Sequence, residues 1–204
     1  MNQSTKQVIA AIATVAKQKQ VFLSKTKLLK LLYLFDVEYF RQHRNTFTGF
    51  AWKFFHLGPW TIEFDPLLEE LEREDILLAR QSTRPDHEST TYLPVEDQEI
   101  GPVLPGHHDE FALRRVLNAW IDRPLGEILD HVYFHTEPME SAVRNTPLDF
   151  SKVSSQQPER YNRPQSGTAP GDAARIRQAF RDRQSQLRAR QISPTEFTPP
   201  SVRR

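Results

Sequence analysis

The thirteen residues from Leu28 to Phe40, LLKLLYLFDVEYF, limit the possible folds of this chain more than any other stretch. Leu28, Leu32, Phe35 and Tyr39 recur at i, i+4, i+7 and i+11, which is one face of a helix. Leu31, Leu34 and Phe35 add a second, overlapping face. A helix that is apolar around most of its girth belongs at the centre of a domain. Lys30, Asp36 and Glu38 make the run too polar for a membrane span. Ser24 or Thr26 can cap its start, because a hydroxyl accepts a bond from an orphan backbone N–H. Arg41, His43 and Arg44 stand at its end, where positive charge suits the helix dipole. The remainder of the first 150 residues is expected to wrap around this helix.

The flanking sequence predicts a mainly α domain with a small β-hairpin. Gln3 to Lys19 reads as a first helix, with Val8, Ile12 and Val15 as its stripe. Asn45 to Gly49 is a turn, where Gly49 takes the positive φ that other residues resist. Phe50 to His56 is short and dense in aromatics, as strands or buried extended segments are. Gly58-Pro59 punctuates the chain. Trp60 to Glu74 is mostly helical, and Asp65-Pro66 looks like an N-cap followed by a first helical residue, implying two short helices or a kinked one. Ile76–Gln81 and Thr90–Val95 form the hairpin. Further helices follow from Asp109, from Leu125, and from Pro138 to about Asn145.

Past Phe150 the character changes. Residues 151–204 hold eleven Lys/Arg against four Asp/Glu, and six of the fifteen prolines. Few large apolar side chains remain to offset ordering entropy, so 151–204 reads as a disorder-prone basic tail on a body of residues 1–150. Within it, Gly171–Gln191 carries six arginines and the thin apolar stripe Ile176, Phe180 and Leu187. Such a helix is marginal alone and needs a partner. Arg177, Phe180 and Arg181 are its candidate contact residues, and its arginines suit phosphates. The chain has no cysteine, hence no disulfide framework or thiolate metal site. No signal-type segment opens it, and no apolar run approaches the ~20 residues a bilayer requires. A soluble cytoplasmic protein is expected.

The chemistry-bearing residue types are thinly spread. His131 and His135 share a helix face at i, i+4, but Val132 stands where the zinc-protease pattern places Glu. A hydrogen-bonding role near a helix end is the simpler reading. His107-His108-Asp109-Glu110 precedes a helix and suits capping. The acidic run Glu69, Glu70, Glu72, Glu74 and Asp75 reads as a solvated helix face. With no phosphate loop, no GxSxG elbow and no thiol, neither an enzyme, a cofactor nor a metal is expected. Phe50, Trp52, Phe54, Phe55 and Trp60 form an aromatic cluster that serves either core or interface. Alternation puts Phe50, Trp52 and Phe54 on one face and Phe55 on the other. Phe55, His56 and Trp60 are the candidate partner contacts in the body.

The order KLLKLLY (Lys27–Tyr33), Thr48-Gly49, Leu57-Gly58-Pro59 and finally His135-Thr136-Glu137-Pro138 resembles the Panacea domain, the SocA-like antitoxin domain of prokaryotic and phage toxin–antitoxin pairs. The resemblance covers residues 5–146. Its signature positions here are Leu29, Lys30, Tyr33, Gly49, Gly58, Pro59, His135 and Pro138. Met139 stands where the family usually has Trp, and Trp60 where a small aliphatic residue is common. The resemblance implies a mostly helical domain that neutralises a toxin protein by direct binding. It also allows delivery of that toxin to an ATP-dependent protease. The alternative function is a nucleic-acid-binding regulator that uses the arginine-rich segment, with strongly salt-dependent binding. No membrane partner is implied.

Overall fold

The computed structural model describes residues 3–81 and 90–156. Contacts divide the chain into two units, Met1–Tyr161 and Asn162–Arg204, and every described residue lies in the first. The arginine-rich segment, with Arg177, Phe180 and Arg181, lies outside the described residues.

Helices α1 (Gln3–Gln18) and α2 (Lys25–His43) come first in the chain. The side chain of Ser24, not Thr26, caps α2 by accepting from the Lys27 N–H. Arg44 ends it in the left-handed conformation, φ 59°, with its N–H on the Phe40 carbonyl. As its all-round apolarity requires, α2 is the centre of the body: Leu28, Leu31, Leu32, Tyr33 and Phe35 are completely inaccessible.

The chain then makes a small hairpin. Strand β1 (Lys53–Phe55) pairs antiparallel with β2 (Gly58–Trp60), with Phe54 opposite Pro59. Gly58-Pro59 is therefore not a break between elements but two of the three residues of a strand, joined to β1 by His56 and Leu57. Pro59 lacks an N–H, which a short strand tolerates when that side needs no donor. On the other side of β1, the Phe54 N–H donates to the Thr146 carbonyl and the Leu148 N–H to the Trp52 carbonyl. Residues 145–148 thus lie against the hairpin and bring the end of the body back to its beginning.

Helix α3 (Phe64–Arg73) is one helix, with Leu67, Leu68 and Leu71 buried. Glu63 occupies its N-cap position, and Pro66 falls within the first turn, where a missing N–H costs nothing, so neither a break nor a kink arises. Strands β3 (Leu77–Gln81) and β4 (Thr90–Pro94) form the expected hairpin, in the register Leu77↔Pro94 to Gln81↔Thr90. Helix α4 (His107–Trp120) begins two residues before Asp109, capped by Gly106. Helix α5 (Leu125–Phe134) follows, and α6 (Glu137–Glu140) is a single turn, shorter than its sequence suggests. The fold is mainly α, as expected: six α-helices and two two-stranded sheets among the described residues.

Burying α2 on all sides forces partners on its polar residues. Asp36, wholly inaccessible, accepts from the Thr48 N–H at 3.0 Å, the Thr48 hydroxyl at 2.5 Å and the Trp52 indole N–H at 2.7 Å. Burial lifts its carboxyl to about 6, against the opposing pull of those bonds. Arg41 forms a buried two-pronged pair with Glu137, at 2.5 and 2.8 Å, and also donates to the Ser154 carbonyl. This pair fastens α6 and the segment beyond Phe150 to the central helix, and Val153 is buried beside it. The acidic run on α3 is only partly solvated, since Lys6 of α1 bridges Glu70 and Glu74 at 3.0 and 2.7 Å.

Removing one partner of a buried pair leaves an uncompensated charge, a loss of about 3–5 kcal/mol. Glu137→Ala is expected to lower the urea midpoint accordingly, and the double variant R41M/E137L to recover most of the loss. A midpoint unchanged by Glu137→Ala would show that the pair contributes nothing.

Candidate functional site

The start of α2 and the β1–β2 hairpin enclose a cavity of about 220 Å³. Its lining joins Leu29 and Lys30 of α2 to Phe55, His56, Leu57 and Trp60 of the hairpin, with Lys25, Thr26 and Asp65 completing it. The hairpin positions the aromatics. Alternation turns Phe54 toward Tyr133, ring centroids 5.8 Å apart, and leaves Phe55 on the other face against Trp60, at 5.2 Å. Phe50 and Trp52 are core. The expected division of the aromatic cluster therefore runs along the chain: its first half packs inward and its last members, Phe55 and Trp60, wall the cavity.

Gly58 sets the hairpin against α5. Its φ is +90°, and a Cβ there would sit 3.5 Å from the Tyr133 ring. The Tyr133 hydroxyl donates to the His56 carbonyl at 3.3 Å, holding the turn. Leu57 at the turn is 36% exposed and Ile62, just past β2, is 69% exposed. Lys25 pairs with Asp65 at 2.8 Å, and both are about half exposed.

Lys30 is the unusual member. It is 1% exposed, and its amine donates to the Pro59 carbonyl at 2.6 Å. Burial, without a carboxylate to oppose it, pulls the amine down to about 7. An ammonium carries three donors. Among the described residues the Pro59 carbonyl is the only acceptor bonded to this amine.

The other signature positions hold the framework. The Tyr33 hydroxyl bonds the Thr136 hydroxyl at 3.0 Å, while its ring meets Trp52 and Phe150 edge-on. Gly49 has φ +69° and ends the turn after α2. Pro138 is buried in α6. His135 lies beside His131, rings 5.5 Å apart, and burial lowers the latter to about 4. A low-pKa imidazole in a mostly apolar place is a neutral packing group, and Trp120 lies against it at 4.2 Å. Among the described residues no group of three or more His, Asp or Glu could hold a metal ion. His43 and Asp109 approach to 2.6 Å. They join the last turn of α2 to the first turn of α4.

Lys25, Thr26, Leu57 and Asp65 line the cavity without having been expected as contact residues. The signal that could have found Leu57 is the two-residue spacing between Phe55 and Gly58, which permits a tight hairpin. In comparisons with family models, curated proteins and solved structures, none matches this chain. No helix among the described residues is long and apolar enough to cross a membrane.

The depressed Lys30 amine makes a pH test. Its folded value, about 7, lies below the ordinary 10.5. The unfolded chain therefore binds the extra proton between those values, and folded stability rises with pH across that window. Relative to Lys30→Met, the native chain is expected to gain on the order of 1.4 kcal/mol per pH unit there. Parallel unfolding free energies for the two chains between pH 7 and 10 would show that the amine is not perturbed.

Proposed function

We propose that this chain is an antitoxin-like protein that binds a cognate toxin directly and neutralises it in the cytoplasm, without catalysing a reaction. The observation that supports this most is the β1–β2 hairpin, which carries partly exposed Phe55, Leu57 and Trp60 around one small cavity, with exposed Ile62 just past β2. Apolar side chains gathered on a surface mark a site of protein contact more often than scattered ones do. Aromatic anchors are the residues that dominate such interfaces. The resemblance of residues 5–146 to the Panacea domain supports the same reading and supplies the class of partner. The residues of the motifs that carry the resemblance and the residues that line the cavity overlap at Leu29, Lys30 and Leu57, so the framework of the domain also contributes to the contact face.

Co-expression with the product of the adjacent gene tests the proposal. The native chain is expected to rescue growth. Leu57→Asp and Ile62→Asp are expected to lose rescue while keeping the melting temperature, because both side chains are exposed and their replacement leaves the core intact. Phe111→Asp on α4, outside the cavity lining and 65% exposed, is expected to rescue normally. Failure of the native chain to bind or neutralise either neighbouring product would sink the proposal. Rescue by all three variants would place the contact elsewhere.

A further inference from the structure

We infer, building on the binding role proposed above, that the cavity between α2 and the β1–β2 hairpin is the anchor point of the interface. It takes an acidic side chain of the protein partner, with the carboxylate on the Lys30 amine and the neighbouring apolar residues on Phe55, Leu57 and Trp60.

Four observations carry this. The first is Lys30 itself: the residue is almost fully buried, it is part of the cavity lining, and its amine bonds a single acceptor, the Pro59 carbonyl at 2.6 Å. A buried cation with unused donors is costly unless an acceptor arrives. A carboxylate supplies that acceptor and the opposite charge together. Second, Asp65, the one acidic residue of the lining, already forms an ion pair with Lys25 at 2.8 Å. The resident carboxylate is thereby occupied at the rim and leaves Lys30 without an anion.

Third, the size of the cavity excludes other occupants. At about 220 Å³ it is smaller than the roughly 300–1,000 Å³ of sites that enclose a cofactor or drug-sized ligand. One side chain with its stem is a better match. Fourth, the lining holds no arginine and only one cation besides Lys30, the already paired Lys25. Phosphates are held by arginine forks or several donors together. The aromatic walls and the exposed Leu57 and Ile62 instead suit the apolar flanks of a peptide segment.

The test uses the full chain and two synthetic probes, N-acetyl-Phe-Glu-Leu-amide and N-acetyl-Phe-Gln-Leu-amide, titrated under amide-resolved NMR. The glutamate peptide is expected to shift the Lys30, Phe55, Leu57 and Trp60 resonances. It is expected to bind about tenfold or more tightly than the glutamine peptide, as a charge-assisted bond to a desolvated amine implies. Lys30→Met is expected to bring the two peptides to equal affinity while the circular dichroism spectrum stays native. The glutamate-against-glutamine comparison is made on the unaltered chain, so it decides the matter even if Lys30→Met does not fold. Equal affinities in the native chain, shifts that map away from the cavity, or no shift with either peptide would overturn the inference. Because the probes replace the partner, the two readings fail separately. Peptide discrimination without neutralisation of a neighbouring product removes the antitoxin reading alone. Neutralisation without discrimination removes the anchor alone.

Discussion

A helix buried on every side must find a partner for each of its polar side chains, and the arrangement of this body follows from how α2 does so. Asp36 gathers two donors from Thr48 and one from Trp52. That fixes the turn after α2 and starts the chain toward the hairpin. Arg41 reaches Glu137 and Ser154, drawing in the last described segment. Lys30 reaches the Pro59 carbonyl and seats the β1–β2 hairpin on the first half of the helix. The apolar residues of α2 supply most of the burial, but apolar contact is non-directional. The three polar contacts are directional, so they decide which segment lies against which turn of the helix.

These contacts differ in how well they are satisfied, and the difference separates framework from site. Asp36 and Arg41 meet several groups each, which compensates their burial. Lys30 meets one carbonyl and faces a cavity. A buried group with capacity left over is where a partner's polar atom gains most, because the desolvation cost has already been met in folding. The aromatic walls around Lys30 come from the same hairpin that its hydrogen bond holds in place. Contact surface and core packing therefore share residues, and a substitution at Lys30 acts on both.

Much of this was legible in the residues. The periodicity of Leu28–Phe40 located the central helix because i, i+4 and i+7 spacing survives any environment. Two β-prone runs separated by a polar stretch located the β3–β4 hairpin. Gly49 was readable because few other residues adopt positive φ at low cost. The errors came where local chemistry admits two outcomes. Gly58-Pro59 is usual turn material, yet here it forms a strand, since β1 offers a partner and Pro59 needs no donor on its outer side. Asp65-Pro66 resembles a helix start, but α3 begins two residues earlier, at the buried Phe64. The solvated face expected on α3 is partly consumed by Lys6, sixty-eight residues from Glu74 in sequence.

What the amino-acid sequence determined by itself was the set of elements, their order and the apolar faces they must hide, because those depend on spacing along a few turns of chain. It also marked Lys30, Asp36 and Glu38 as charges out of place in an apolar helix. Which of them would be fully satisfied was decided only by the tertiary structure. Thr48 lies 12 residues beyond Asp36 and Pro59 29 beyond Lys30, and no local rule links a buried charge to a partner at such distances. The cavity has the same origin: its two walls, α2 and the hairpin, meet only when the chain folds.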